Sequence, residues 1–170
     1  FVFAGVQLQM IEILRGLGHS PASALFLASM IGPAQVGIRV FELLFGHRYS
    51  IMRSAVVGSL LLPIGLGLAM LAGNLFAVAL VAVLAYGFSN GLKAVQRSTL
   101  PLALFGRTQF GQYAGRLALP QGILSAVSPP ILASVLTQFG TQAALVLALT
   151  MAAVSLAAMI ALARRARHIR

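Results

Sequence analysis

The sequence predicts an all-α protein that crosses a membrane several times, and three observations carry that prediction. Of 170 residues, 59% are hydrophobic and only 8% are charged, with a mean hydropathy of +0.97. A soluble domain must still turn a polar outside to water and has no use for so much apolar surface. The apolar residues also fall into runs of roughly 20, the length of a helix across the hydrocarbon core. Finally, the cations gather in alternate breaks between those runs. In a soluble protein a net charge of +10 and a pI near 11.9 would point to nucleic acid. Here the charge is topological, and no nucleic-acid partner is expected.

Six spans are expected, over about 1–16, 22–45, 52–71, 75–91, 113–138 and 143–163. The first is interrupted by Gln7, Gln9 and Glu12. Its apolar run is too short to span alone, so it reads as the outer part of a helix that has lost its beginning. It shows neither the charged start nor the small-residue cleavage site of a signal peptide. Gly16, Gly18 and Pro21 end it, and Ser20 before Pro21 suits the cap of the next helix. The second span is about 36 Å long at 1.5 Å per residue. Gly32 and Pro33 predict a kink inside it, while Arg39 and Glu42 lie near its end, spaced i,i+3.

A short basic stretch with His47, Arg48 and Arg53 leads into the third span, where Pro63, Gly65 and Gly67 predict local bending. The turn at 72–74 is uncharged. The fourth span ends in Tyr86, Ser89 and Asn90 and runs into a cationic hinge, 90–119, that holds Lys93, Arg97, Arg107 and Arg116 without an acid. The fifth carries Pro120, Gln121, Ser125, Ser128, Pro129 and Pro130, a crowding that predicts a bend. After a neutral turn at 139–142, the sixth is smooth and rich in Ala and Leu, closed by Arg164, Arg165, Arg167, His168 and Arg170.

Ten of the cations fall after the second, fourth and sixth spans, against Arg15 alone on the other side. That bias predicts that the even-numbered helices and the C-terminus end in the cytoplasm.

Several chemistries are excluded. There is no cysteine, and hence no disulfide, thiolate metal site or thiol nucleophile. Gly87, Ser89 and Gly91 match the spacing of a nucleophile elbow, but no strand precedes Ser89 and no acid follows it. His168 lies beyond the last helix, so a Ser/His dyad cannot form, and no enzyme is expected. Gly87/Gly91 and Gly111/Gly115 read instead as small-residue grooves for close helix approach. Gly65 and Gly67 lack the rest of a dinucleotide loop. The histidines, at 19, 47 and 168, lie in separate polar segments, so neither a metal nor another cofactor is expected.

Glu12 and Glu42 are the two acids. A carboxylate at membrane depth is by default a functional candidate, as proton carrier or gate, although each could simply neutralise its neighbour, Arg15 or Arg39. The polar residues Gln7, Gln9, Gln35, Tyr86, Asn90, Gln121, Ser125 and Ser128 sit on spans one, two, four and five. That asymmetry predicts four helices lining a polar cavity, with spans three and six facing lipid.

The segments 32–48, GPAQVGIRVFELLFGHR, and 91–120, GLKAVQRSTLPLALFGRTQFGQYAGRLALP, resemble the C-terminal half of a bacterial major facilitator superfamily transporter. The resemblance covers essentially the whole chain and equates its spans with transmembrane helices seven to twelve. Helices nine and twelve of that family face lipid, as the two featureless spans would here. The family's short loop carries a glycine, an acid and several basic residues, whereas 46–53 keeps Gly46, Arg48 and Arg53 but has no acid; Glu42, one turn earlier, is the candidate substitute.

The resemblance implies a secondary transporter of the bacterial inner membrane that moves a small solute by alternating access between two six-helix halves. On this reading Gln7, Gln9, Gln35, Tyr86 and Gln121 line the substrate cavity, and Arg39, Glu42 and Arg116 form a cytoplasmic gate, with Arg116 meeting Glu42. The implied partners are the lipid bilayer, a small-molecule substrate and an N-terminal six-helix half. The rival is a self-contained six-helix membrane protein acting as a dimeric scaffold or pore.

Overall fold

The computed structural model describes the backbone of residues 1–168, and the side chains of these except at 47, 98, 100–110, 112–114, 117 and 166–168. Among the described residues every regular element is a helix. They are α1 (Val2–Gly16), α2 (Pro21–Ser29), α3 (Ile31–Phe45), a 3-10 turn at Gly46–Arg48, α4 (Ile51–Ala72) and α5 (Phe76–His168). Among the described residues, four helical stretches are long and apolar enough to cross a membrane: Pro21–Phe45, Ile51–Ala72, Phe76–Arg97 and Ala118–Arg165.

Local chemistry sets most of the ends. Ser20, in an extended conformation, accepts a hydrogen bond from the Ser23 backbone N–H at 3.2 Å, and Pro21 supplies the fixed φ of the first helical position. Ser50 does the same for α4, accepting from the Arg53 backbone N–H at 3.3 Å. Gly73, with φ +50°, closes α4. The interruption expected at Gly32 and Pro33 falls at Met30 instead, between α2 and α3. Pro33 is then the third residue of a new helix, where it costs no intrahelical hydrogen bond.

The cationic stretch 90–119, expected as a hinge, is helical throughout its backbone. Pro101 and Pro120 each remove one donor, and no glycine-proline pair stands there to end the helix. Yet α5 does not run straight. Tyr86 donates to the Phe3 carbonyl at 2.9 Å and Ser128 to the Phe1 carbonyl at 2.6 Å. Those residues would lie about 63 Å apart on a straight helix, so α5 doubles back between them. It breaks again at Gly140, where φ is +80°, a value that only glycine adopts without strain. Pro129 and Pro130 lie within the helical backbone between these two places.

The core joins all of these segments. Val6, Ile13 and Leu14 of α1 pack with Leu27, with Leu62 and Leu66 of α4, and with Tyr86, Leu132 and Leu145 of α5. Lipid is as apolar as leucine, so helices in a bilayer associate through close packing and interhelical hydrogen bonds more than through a hydrophobic drive. Gly87 and Gly91 supply the first. A Cβ on Gly87 would stand 2.7 Å from the Ala34 Cβ, and one on Gly91 would stand 2.8 Å from the Gln35 carbonyl oxygen. The α3 backbone lies in the groove that they leave. Ser89 supplies the second: fully buried, it donates to the Gly58 carbonyl of α4. Gly111 and Gly115, read from sequence as a second groove, have nothing packed on them among the described residues.

Candidate functional site

Two groups of polar side chains interrupt this apolar bundle. The first lies between α1 and the Phe76–Arg97 segment. Asn90 donates from Nδ2 to the Gln7 Oε1 at 3.0 Å, on the exposed surface of the chain. One turn earlier on each helix, the Tyr86 hydroxyl reaches the Phe3 carbonyl and its ring tilts against Phe3 at 5.7 Å. Tyr86 is 1% exposed, so it stitches the two helices together from inside, while the Gln7–Asn90 pair caps the same seam from outside. Both amides keep hydrogen-bonding capacity, because each has a donor and an acceptor end and the contact uses one of each.

The second group surrounds a cavity of about 530 Å³ between the end of α3, the start of α4 and residues 92–99 of α5. Its polar lining is Arg39, Glu42, Tyr49, Arg53, Ser54 and Thr99. The Ser50 cap begins α4 so that Ser54, one turn in, donates to the Glu42 Oε1 at 2.6 Å. The other oxygen, Oε2, is buried and has no hydrogen-bond partner among the described residues. A carboxylate held by one hydroxyl, with its second oxygen free and two guanidiniums in the same lining, has room to accept a further donor. The aromatic rings of Phe41 and Phe45 meet at 4.9 Å beside it, and the Arg48 guanidinium lies 5.9 Å from the centre of the Phe45 ring.

The residues singled out from sequence are therefore dispersed over several places. Gln7 is exposed and paired with Asn90. Gln9 is half-buried on the same helix. Gln35 is half-buried in α3, its backbone seated over Gly91. Gln121 is exposed near the start of Ala118–Arg165. Tyr86 faces the core. Arg39 and Glu42 line one cavity but form no ion pair, because the carboxylate turns toward α4 and Ser54 while Arg39 stays exposed. The spacing that fails there succeeds in α1, where Arg15 pairs with Glu12 at 3.0 Å. Arg116 is exposed, does not line the cavity and makes no ion pair with Glu42, so the contact expected between them is absent. The side chains of His47, Arg107, Arg167, His168 and Arg170 lie outside the described residues.

Sequence reasoning missed Ser54 and named Ser89 without its role in packing; the partners of both belong to other helices. It also missed Lys93 and Gln96 by assigning them to a hinge, although both lie within the Phe76–Arg97 helix. The signal was available in the helix-compatible run from Leu92 to Arg97. No metal-binding cluster of His, Asp and Glu occurs among the described residues. Comparison of the chain with protein-family models, curated proteins and solved structures found no match.

Proposed function

We propose that this chain forms one six-helix half of a secondary transporter of the major facilitator type, carrying a small solute by alternating access. The observation that carries the reading is the Gln7–Asn90 pair: two amides joined at 3.0 Å on the exposed surface of apolar helices. Facing lipid, their unused donor and acceptor groups would go unsatisfied at a cost of several kcal/mol each. Facing a water-filled cavity shared with a second half, they are solvated and free to contact a solute.

Five crossings and a shorter sixth helix fit the helix lengths. The four apolar stretches become five if Ala118–Arg165 crosses twice, since its 48 residues extend about 72 Å and break at Gly140. The short α1, packed against three of the stretches through Ile13, Leu14 and Val6, is the sixth. Gln7, Gln9, Asn90 and Gln121 then belong to the cavity. The Glu42–Ser54 contact, with Arg39 beside it, belongs to a cytoplasmic gate.

The test uses cysteine substitutions Gln7→Cys and Gln121→Cys in the protein in its native membrane, probed with a membrane-impermeant maleimide from either side. The transporter reading expects labelling from both sides, with a ligand that favours one state shifting the balance. A pore would label from both sides without such a shift, and a closed scaffold would label from neither; either result contradicts the proposal.

A further inference from the structure

A cation without a counter-ion among the described residues lies between α4 and α5. The Lys93 Nζ donates to the Ser59 hydroxyl, which itself donates to the Ala55 carbonyl at 2.8 Å. One turn along α5, Gln96 is 5% exposed, and neither its Nε2 nor its Oε1 has a hydrogen-bond partner among the described residues. The Gln96 Nε2 points at Gly58, next to Ser59, and lies 3.2 Å from where a Cβ on that glycine would stand. Two consecutive residues of α4 therefore meet an ammonium and an unpartnered primary amide.

Neither acidic side chain of the sequence is the partner of Lys93. The whole sequence holds two acidic side chains. Glu12 pairs with Arg15, and Glu42 accepts from Ser54 in a cavity that Lys93 does not line. Snorkelling does not relieve the charge either. Side chains on a helix lean toward its N-terminus, which for this stretch is the Phe76 end, away from the basic residues around Arg97. Lys93 follows that lean to Ser59, nine residues into α4 and 2% exposed. A cation so placed is stabilised when an anion with hydrogen-bonding oxygens meets it.

We propose that Lys93, Gln96 and Ser59 form a binding site for a carboxylate. One of its oxygens takes the ammonium and the other takes the Gln96 Nε2 donor, and Ser59 holds the lysine in place. Lys93 itself is half-buried. The carboxylate comes from a small solute or from an acidic side chain of an adjoining polypeptide segment, and the two sources are separable.

The experiment follows thermal unfolding of the protein in lipid nanodiscs while succinate is titrated at constant ionic strength against choline chloride. A free carboxylate raises the wild-type midpoint in proportion to the logarithm of succinate concentration. The rise is abolished by Lys93→Met, weakened by Gln96→Leu and partly kept by Lys93→Arg. A carboxylate from an adjoining segment gives no succinate response; instead Lys93→Met lowers the midpoint, and a second-site Asp→Asn or Glu→Gln change restores it. Gln96→Leu keeps the charge and reads the site even if Lys93→Met fails to fold. The proposal is overturned if succinate leaves the wild type unmoved while Lys93→Met and Gln96→Leu melt as it does, or if Lys93→Met lowers the midpoint with no acidic suppressor.

Discussion

The Glu42 carboxylate and the Ser54 hydroxyl meet at 2.6 Å across twelve residues of chain, bridging the end of α3 to the start of α4. This contact replaces the Arg39–Glu42 pair that helical spacing favours. A hydrogen bond to a charged group contributes about 1.5–3 kcal/mol. Ser54→Ala is therefore expected to lower the unfolding free energy in detergent by about that amount. Glu42→Gln, whose amide oxygen still accepts from Ser54, should lose less. Equal losses in the two variants would show that the hydroxyl is not the partner that matters.

Gly91 lies beneath the α3 backbone, so Gly91→Ala must push Gln35 and Ile38 away. Overpacking of this kind costs about 1–3 kcal/mol. Gly111, with nothing packed on it among the described residues, is the control. Gly111→Ala should be neutral or stabilising by up to about 1 kcal/mol, because alanine is the better helix former. The two midpoints measured side by side check the groove.

At Gly140, φ is +80°. Any residue with a Cβ is strained there, by about 1–2 kcal/mol. Gly140→Ala should thus destabilise the protein, and Gly140→Asn should do so less, since asparagine tolerates positive φ better. Similar melting of both variants and the wild type would place the break elsewhere.

Sequence-local features were read well. The Ser20 cap, the glycine turns at 73 and 140 and the limits of α1 and α4 all follow from residues within one turn of where they act. The features that were misread depend on neighbours distant in sequence. The interruption that Gly32 and Pro33 predict in the second span is present, but it falls at Met30, less than one turn before the proline, and leaves Pro33 in a first turn. Glu42 was assigned to Arg39 because nothing in the sequence brings Ser54 across from α4. Tyr86, read as a cavity residue from its polarity, turns inward because the Phe3 carbonyl is there to meet it. The cationic stretch is expected to turn the chain from 90 onward, and α5 does double back between Tyr86 and Ser128, but its first residues, Leu92 to Arg97, continue the Phe76–Arg97 helix and carry Lys93 and Gln96 into the packed region.

The central claim is that one face of this bundle meets water at membrane depth, and Asn90 against Val81 tests it most directly. Both lie on the Phe76–Arg97 helix; Val81 is exposed and apolar, while Asn90 sits on the Gln7 seam. The chain has no cysteine of its own, so single substitutions report cleanly. With the protein in its native membrane and a membrane-impermeant maleimide, the account predicts labelling at Asn90→Cys and none at Val81→Cys. Equal protection of both positions would contradict it and place the Gln7–Asn90 pair against lipid or a dry interface.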